Sequence, residues 1–206
     1  MSDTGPKPAP PSKRPRRNGR AKVTSRAELS RVGLELFIER GFDEVTIPDI
    51  AAAAGIGRRT FFRYFPSKND LPWGDFDLLV KEMGQHLATV PDDEPLIDAI
   101  SAAVITFNTF PDDELPFHRD RMNLLFTVPM LTAHSALRYQ AWRDVIAEFA
   151  AKRLDHPASS IVPQTIGWAF LAASLVGYEQ WLKDPGSSLT DTLISAHRVL
   201  RQLGQY

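Results

Sequence analysis

The sequence predicts an all-α protein: a small N-terminal helix-turn-helix unit of three helices, followed by a larger helical body. Three observations lead there. Apolar residues recur at helical spacing through most of the 206 residues, and the period-two alternation of strands is nearly absent. Prolines fall mainly between the periodic runs, where a missing amide proton does no harm. Charge is also divided along the chain. Residues 1–68 hold fourteen Lys/Arg against seven Asp/Glu, a net of +7, and residues 69–206 hold ten against eighteen, a net of −8. A basic end on an acidic remainder predicts two parts with different partners.

Residues 1–22 carry five prolines and seven Lys/Arg with little to bury, so a disordered basic arm is expected there. It would either track phosphates or simply solubilise the chain, and it lacks the apolar run of a secretory signal. The three-helix unit is expected over residues 23–68. Ser25 and Glu28 form a capping box at the first helix start. Leu29, Val32, Leu36 and Phe37 give that helix its apolar face, and Gly41 ends it. Thr46 caps a short second helix with Pro48 and Asp49 in its first turn. Gly55-Ile56-Gly57 makes a tight turn, and Arg58 to Phe65 forms a third helix closed by Pro66. The body, residues 69–206, reads as helices near 67–89 (which begins at the junction), 93–109, 116–127, 131–153, 158–183 and 188–203.

The third helix has two unlike faces. Ile56, Phe61 and Phe65 would plug into the preceding helix pair, whereas Arg58, Arg59, Thr60, Arg63 and Tyr64 offer hydrogen-bond donors outward. An apolar back and an arginine-rich front suit the major groove of double-stranded DNA, ~12 Å wide. Lys68 stands at a helix start, where a cation opposes the helix dipole. A phosphate bound there would resolve that conflict. Any one charge cluster can equally be a solvated face, so the expectation rests on turn, caps and face together.

Thr46, Ile50-Ala51, Ala54-Gly55-Ile56, Thr60, Tyr64-Phe65, Ser67-Lys68 and Leu71 together resemble the DNA-binding segment of the TetR family of bacterial transcriptional repressors, over residues 25–71. The resemblance implies that Thr46, Tyr64 and Lys68 contact phosphates while Arg58, Arg59, Thr60 and Arg63 face bases. Gly57 departs from the Ser or Thr usual at that helix cap, and Phe62 from a frequent Tyr. The resemblance also implies a cytoplasmic homodimer on a palindromic operator, released by a small lipophilic effector. Its closer form, to actinobacterial members carrying Arg-Arg-Thr-Phe-Phe-Arg-Tyr-Phe-Pro-Ser-Lys, implies an acyl-coenzyme A. The alternative is a ligand-independent architectural DNA-binding protein, or an activator.

The acidic body offers apolar volume and no catalytic motif. Cysteine is absent, which excludes disulfides and thiolate chemistry, and the five histidines show no ligand spacing. No enzyme activity, cofactor or metal is expected. Phe107, Phe110, Phe117, Met122, Phe126, Met130, Trp142, Phe149 and Trp168 could line a ligand cavity or form ordinary core. Arg119, Arg121 and Arg138 could hold an anionic head group there or stay solvated. Ile166 to Gly177 is too short an apolar run to cross a bilayer, so a buried helix and no membrane partner are expected. Ala169, Ala173 and Gly177 share one stripe, and Leu189, Leu193, Ala196, Leu200 and Leu203 form a second apolar face. The two could build a four-helix dimer interface or pair within one subunit.

Overall fold

Nine α-helices and one short 3-10 helix make up the described residues, 25–202, of the computed structural model, and no strand occurs among them. The expected arm over residues 1–22 and Leu203 of the last expected helix lie outside the described residues. The N-terminal unit comprises α1 (Arg26–Arg40), α2 (Ile47–Ala53) and α3 (Arg58–Tyr64). At its start, Ser25 accepts from the Glu28 amide and Glu28 accepts from the Ser25 amide, the reciprocal cap that the sequence signalled. Gly41, at φ 87°, ends α1. Thr46 and Asp49 repeat the same cap at α2. Gly55 turns the chain at φ 67°, after which the Ile56 amide bonds back to the Ala51 carbonyl at 2.9 Å. Pro66 pushes Phe65 into extended backbone and stops α3. Leu29, Phe37, Ile50, Phe61 and Phe65, each at most 1% exposed, form the unit's core.

The expected continuous helix over 67–89 is two elements. A 3-10 helix, Lys68–Trp73, comes first, and α4, Phe76–Leu87, follows after Gly74 at φ 48°. Pro72 is the physical reason, since it has no amide proton and crowds the preceding turn. Apolar packing runs across the boundary expected at residue 68. Leu71 and Trp73 continue the core of the N-terminal unit into Met122, Leu125 and Leu131 of the body.

The body adds α5 (Leu96–Phe107), α6 (Leu115–Thr127), α7 (Pro129–Leu154), α8 (Ile161–Lys183) and α9 (Leu189–Gln202). Among the described residues, α8 is the one helix long and apolar enough to cross a membrane. In the fold it lies between α7 and α9 and buries Phe170, Leu171, Tyr178 and Trp181. The stripe of small residues is partly spent inside the subunit. A Cβ on Gly177 would sit 3.0 Å from Leu193 Cδ2, and Leu189 and Leu193 are buried in the core. The apolar surface left open is a different one: Ile161, Trp168 and Val176 on α8, with Ile194 and Val199 on α9.

Gly167 sets the closest approach of α7 and α8. A Cβ there would stand 3.0 Å from the Arg143 carbonyl oxygen, which is backbone and cannot swing away. Gly167→Val therefore lowers unfolding free energy by about 1–3 kcal/mol, read as an earlier urea midpoint with unchanged slope.

Candidate DNA-reading face and internal cavity

Buried anchors hold α3 so that its polar face looks outward. Phe61 and Phe65 are fully buried, while Arg58, Arg59 and Arg63 are exposed and carry no ion pair among the described residues. Arg58 lies over the exposed Phe62 ring at 5.6 Å and Arg63 over Tyr64 at 5.2 Å. Thr60 is half-buried on the same helix, and Thr46 is exposed with its hydroxyl donating to Asp49. The start of α3 has no side-chain cap, because Gly57 has none to give. Its first amides thus have no side-chain acceptor, and the exposed arginines stand on the same helix.

Two residues that the sequence reading passed over fix this face to the rest of the chain. Arg26 donates to the Tyr64 carbonyl at 2.7 Å and to the Gly74 carbonyl at 2.8 Å, with its guanidinium 4.4 Å over Phe65. It ties the end of α3 to the start of α4. Asp70, 4% exposed, takes the Ser67 amide and hydroxyl on one oxygen and Arg138 and His134 of α7 on the other, at 2.8 and 3.0 Å. Burial works against its charge, but the bonds from Ser67, His134 and Arg138 prevail and hold the carboxyl below its usual range. A Ser-x-x-Asp spacing was the available signal for the cap; the link to α7 had none.

Lys68 differs from its expected role. Its ammonium points inward, donating to the Phe42 and Val45 carbonyls at 2.8 and 3.0 Å and lying 4.3 Å from the Phe42 ring. It fastens the α1–α2 connection on which α2 stands. The unfavourable helix dipole at Lys68 is thus met by two carbonyl oxygens of the same chain.

Beneath the junction lies an internal cavity of about 90 Å³. Five expected residues meet there: Phe107, Phe110, Arg121, Met122 and Trp142. Phe117, Phe126, Met130, Phe149, Arg119, Arg138 and Trp168 stand apart. Arg119 bonds the Trp181 carbonyl and covers that indole, Arg138 holds Asp70 and Asp77, and Trp168 is 56% exposed beneath Arg143. The cavity also takes in Pro72 and Trp73 of the 3-10 helix, His118 of α6, Tyr139 of α7, and Tyr178 of α8. His118 donates from Nε2 to the Tyr178 hydroxyl at 2.9 Å, and Tyr178 in turn donates to Asn108 at 2.7 Å. Burial, aided by Arg121, lowers the His118 pKa to about 3. Burial raises that of Tyr178 well above its ordinary value. No group of three metal-ligating side chains occurs among the described residues.

A helix-turn-helix with an arginine-bearing second helix, set on an all-helical body with an internal cavity, defines a DNA-binding regulator. The family model "Bacterial regulatory proteins, tetR family" matches residues 29–71, and the "MftR C-terminal domain" model matches residues 94–204. The chain belongs to the TetR family of transcriptional regulators. It is 42% identical to MftR of Mycobacterium tuberculosis, a mycofactocin biosynthesis transcriptional regulator, over 89% of this chain and 93% of that one. It is also 29% identical to the HTH-type transcriptional regulator TcmR of Streptomyces glaucescens, over 63% of this chain and 60% of that one. Among solved structures it has the fold of FadR from Thermus thermophilus, a TetR-family repressor in complex with lauroyl-CoA (TM-score 0.54, 22% identity, 86% and 93% of the chains). The fatty acid degradation regulator FadR from Bacillus halodurans shares it as well (TM-score 0.60, 13% identity, 87% and 96%).

Two outcomes follow from this geometry. Lys68→Ala lowers stability by about 1–3 kcal/mol, the cost of leaving buried carbonyls unpaired, and leaves the salt slope of DNA binding as in the unaltered protein. A slope flatter by about one unit would instead place a phosphate on Lys68. His118 and His197, buried neutral with pKa values lowered to about 3 and about 4, must take up protons on unfolding in acid. Stability is complete above pH ~6.5, the ordinary histidine value, and falls below it by up to ~1.4 kcal/mol per pH unit for each. Urea midpoints at pH 7.5 and 5.5 check this; equal midpoints contradict it.

Proposed function

We propose that this regulator is a repressor that binds a palindromic operator as a homodimer and is released by a lipophilic effector in the cavity beside α4. The carrying observation is the trio Arg58, Arg59 and Arg63, exposed and without an ion pair among the described residues, on a helix whose back is locked by Phe61 and Phe65. The open apolar stripe of Trp168, Val176, Ile194 and Val199 on α8 and α9 supports pairing of two copies. A dimer of that kind would set two α3 helices about one DNA turn, ~34–36 Å, apart. Thr46 and Tyr64 are then the phosphate-contacting side chains, while the three arginines and Thr60 meet base edges. This is work for the cytoplasm, where the operator is.

The effector acts because Pro72, Trp73 and Phe76 both line the cavity and join the DNA-reading unit to the body. A ligand favouring a shifted junction would weaken operator binding by its differential affinity for the two shapes, ~5- to 150-fold for 1–3 kcal/mol of coupling. Acyl-coenzyme A thioesters are the first class to try, since a protein of this fold binds lauroyl-CoA. The cavity as it stands holds about three waters' volume, so a long chain enters only if α6 and α7 part from α8.

Selection of a binding site from random duplexes, followed by band-shift titration, tests the reading. Arg59→Ala should relax preference at one base pair by about 1–3 kcal/mol while other positions keep theirs. Uniform loss on all sequences would remove its base-reading role. Binding with no sequence preference and no response to acyl thioesters would instead mark an architectural DNA-binding protein.

A further inference from the structure

We infer that the cavity receives the carboxyl group of a small apolar acid, with Arg121 and Trp73 as its donors. The inference rests on the effector reading above and names the chemistry of its ligand. Three residues lining this otherwise apolar cavity leave a buried polar atom without any partner: Arg121 Nε, Trp73 Nε1 and His118 Nδ1. Their neighbours are satisfied, since Asn108 donates to the Val104 carbonyl, Tyr178 to Asn108, and Ser174 to the Phe170 carbonyl.

The unpaired set has a definite character. Tyr178 has one hydroxyl proton and gives it to Asn108, so it can only accept from His118, which fixes the imidazole proton on Nε2 and leaves Nδ1 a bare lone pair. The cavity therefore presents two N–H donors, one of them on a cation, and one acceptor. Arg121 is the unmatched charge of the cavity lining. Arg31 pairs with Glu114 at 2.7 Å, Arg138 with Asp70 and Asp77, and Arg119 with a carbonyl, but among the described residues no carboxylate lies within ion-pair distance of Arg121. Its guanidinium lies 5.4 Å from the Phe117 ring, and Glu114 acts on it only from beyond ion-pair distance.

A carboxyl group fits all three. The carboxylate enters with one proton taken up from solvent: one oxygen accepts from Arg121 and Trp73, and the proton lies between the other oxygen and His118 Nδ1, so no lone pairs collide. An ester or thioester brings no negative charge to Arg121 and no oxygen that can hold that proton. The rest of the lining, Phe107, Phe110, Met122 and Trp142, suits a hydrocarbon body. The space is below the ~150 Å³ of an apolar cavity that takes benzene, so even an eight-carbon body enters only as Met122, unbranched and easily refitted, and its neighbours yield room. Trp73 ends the 3-10 helix that begins at Lys68, and an acid drawing on its indole acts directly on the segment carrying Asp70.

Calorimetric titration of the intact protein with octanoate, methyl octanoate and octanoyl-CoA tests this, beside band shifts on the selected operator. Octanoate should bind at least ~10-fold more tightly than its methyl ester. Arg121→Met should remove that advantage, leave the ester within about threefold, and raise the thermal midpoint of the unliganded protein, because a half-buried charge with no ion-pair partner is gone. Arg121→Lys, which keeps the charge, should restore part of the preference, and Trp73→Phe should lose part of it. Equal binding of acid and ester, no binding of octanoate, or octanoate binding unchanged by Arg121→Met overturns the inference. Release of DNA by octanoyl-CoA, with octanoate inert, would also overturn it while leaving the effector reading intact. Arg121-dependent octanoate binding that leaves DNA affinity unchanged would sustain the carboxyl site and remove the effector reading.

Discussion

Asp70 is a carboxylate buried where two parts of the chain meet, and it accepts hydrogen bonds from both. One oxygen caps the 3-10 helix through Ser67, and the other holds Arg138 and His134 of α7. A buried charge is tolerated only when its lone pairs are met, so the position of the 3-10 helix relative to α7 is over-determined. Arg26 extends the constraint by bonding the last carbonyl of α3 and the Gly74 carbonyl. The arginines of α3 thus inherit their orientation from a polar node several residues downstream, and from the long helix α7 that anchors it.

That arrangement makes the junction sensitive to the body. The cavity is lined by Pro72, Trp73 and Phe76 on one side and by α6, α7 and α8 on the other. Tyr139, next to Arg138, stands edge-on to Trp73 at 5.7 Å. A molecule entering between them would displace either the 3-10 helix or α7, and both carry partners of Asp70. Because interiors are close-packed, such a displacement resolves into a second arrangement of the same contacts. Gly74 and Pro72, which break the expected long helix, leave the junction as two short pieces that can change angle.

Much of the N-terminal unit was legible because its signals are local. The Ser25–Glu28 and Thr46–Asp49 caps, the glycine turn at Gly55 and the proline stop at Pro66 each depend on neighbours within a few residues, and each stands where the spacing put it. The outward face of α3 was legible from its periodicity. Pro72 could have warned that 67–89 is not one helix. The partners of Lys68, by contrast, come from residues 23 and 26 positions away, and no pattern announces a carbonyl waiting across a loop. The same holds for the cavity: of three arginines with equal standing in the sequence, only tertiary contacts separate Arg121 from Arg119 and Arg138. Trp168 looked like core by composition and is exposed, as befits a face that a second copy would cover.

The central claim is that the Asp70 node sets the orientation of the DNA-reading helix, and amide hydrogen exchange in an Arg138→Met variant tests it most directly. The account predicts exchange at Asn69, Asp70 and Gly74 accelerated by at least ~10-fold, together with weaker operator binding, while amides in the middle of α8 keep their protection. Unchanged exchange across the 3-10 helix with operator affinity also unchanged would contradict it.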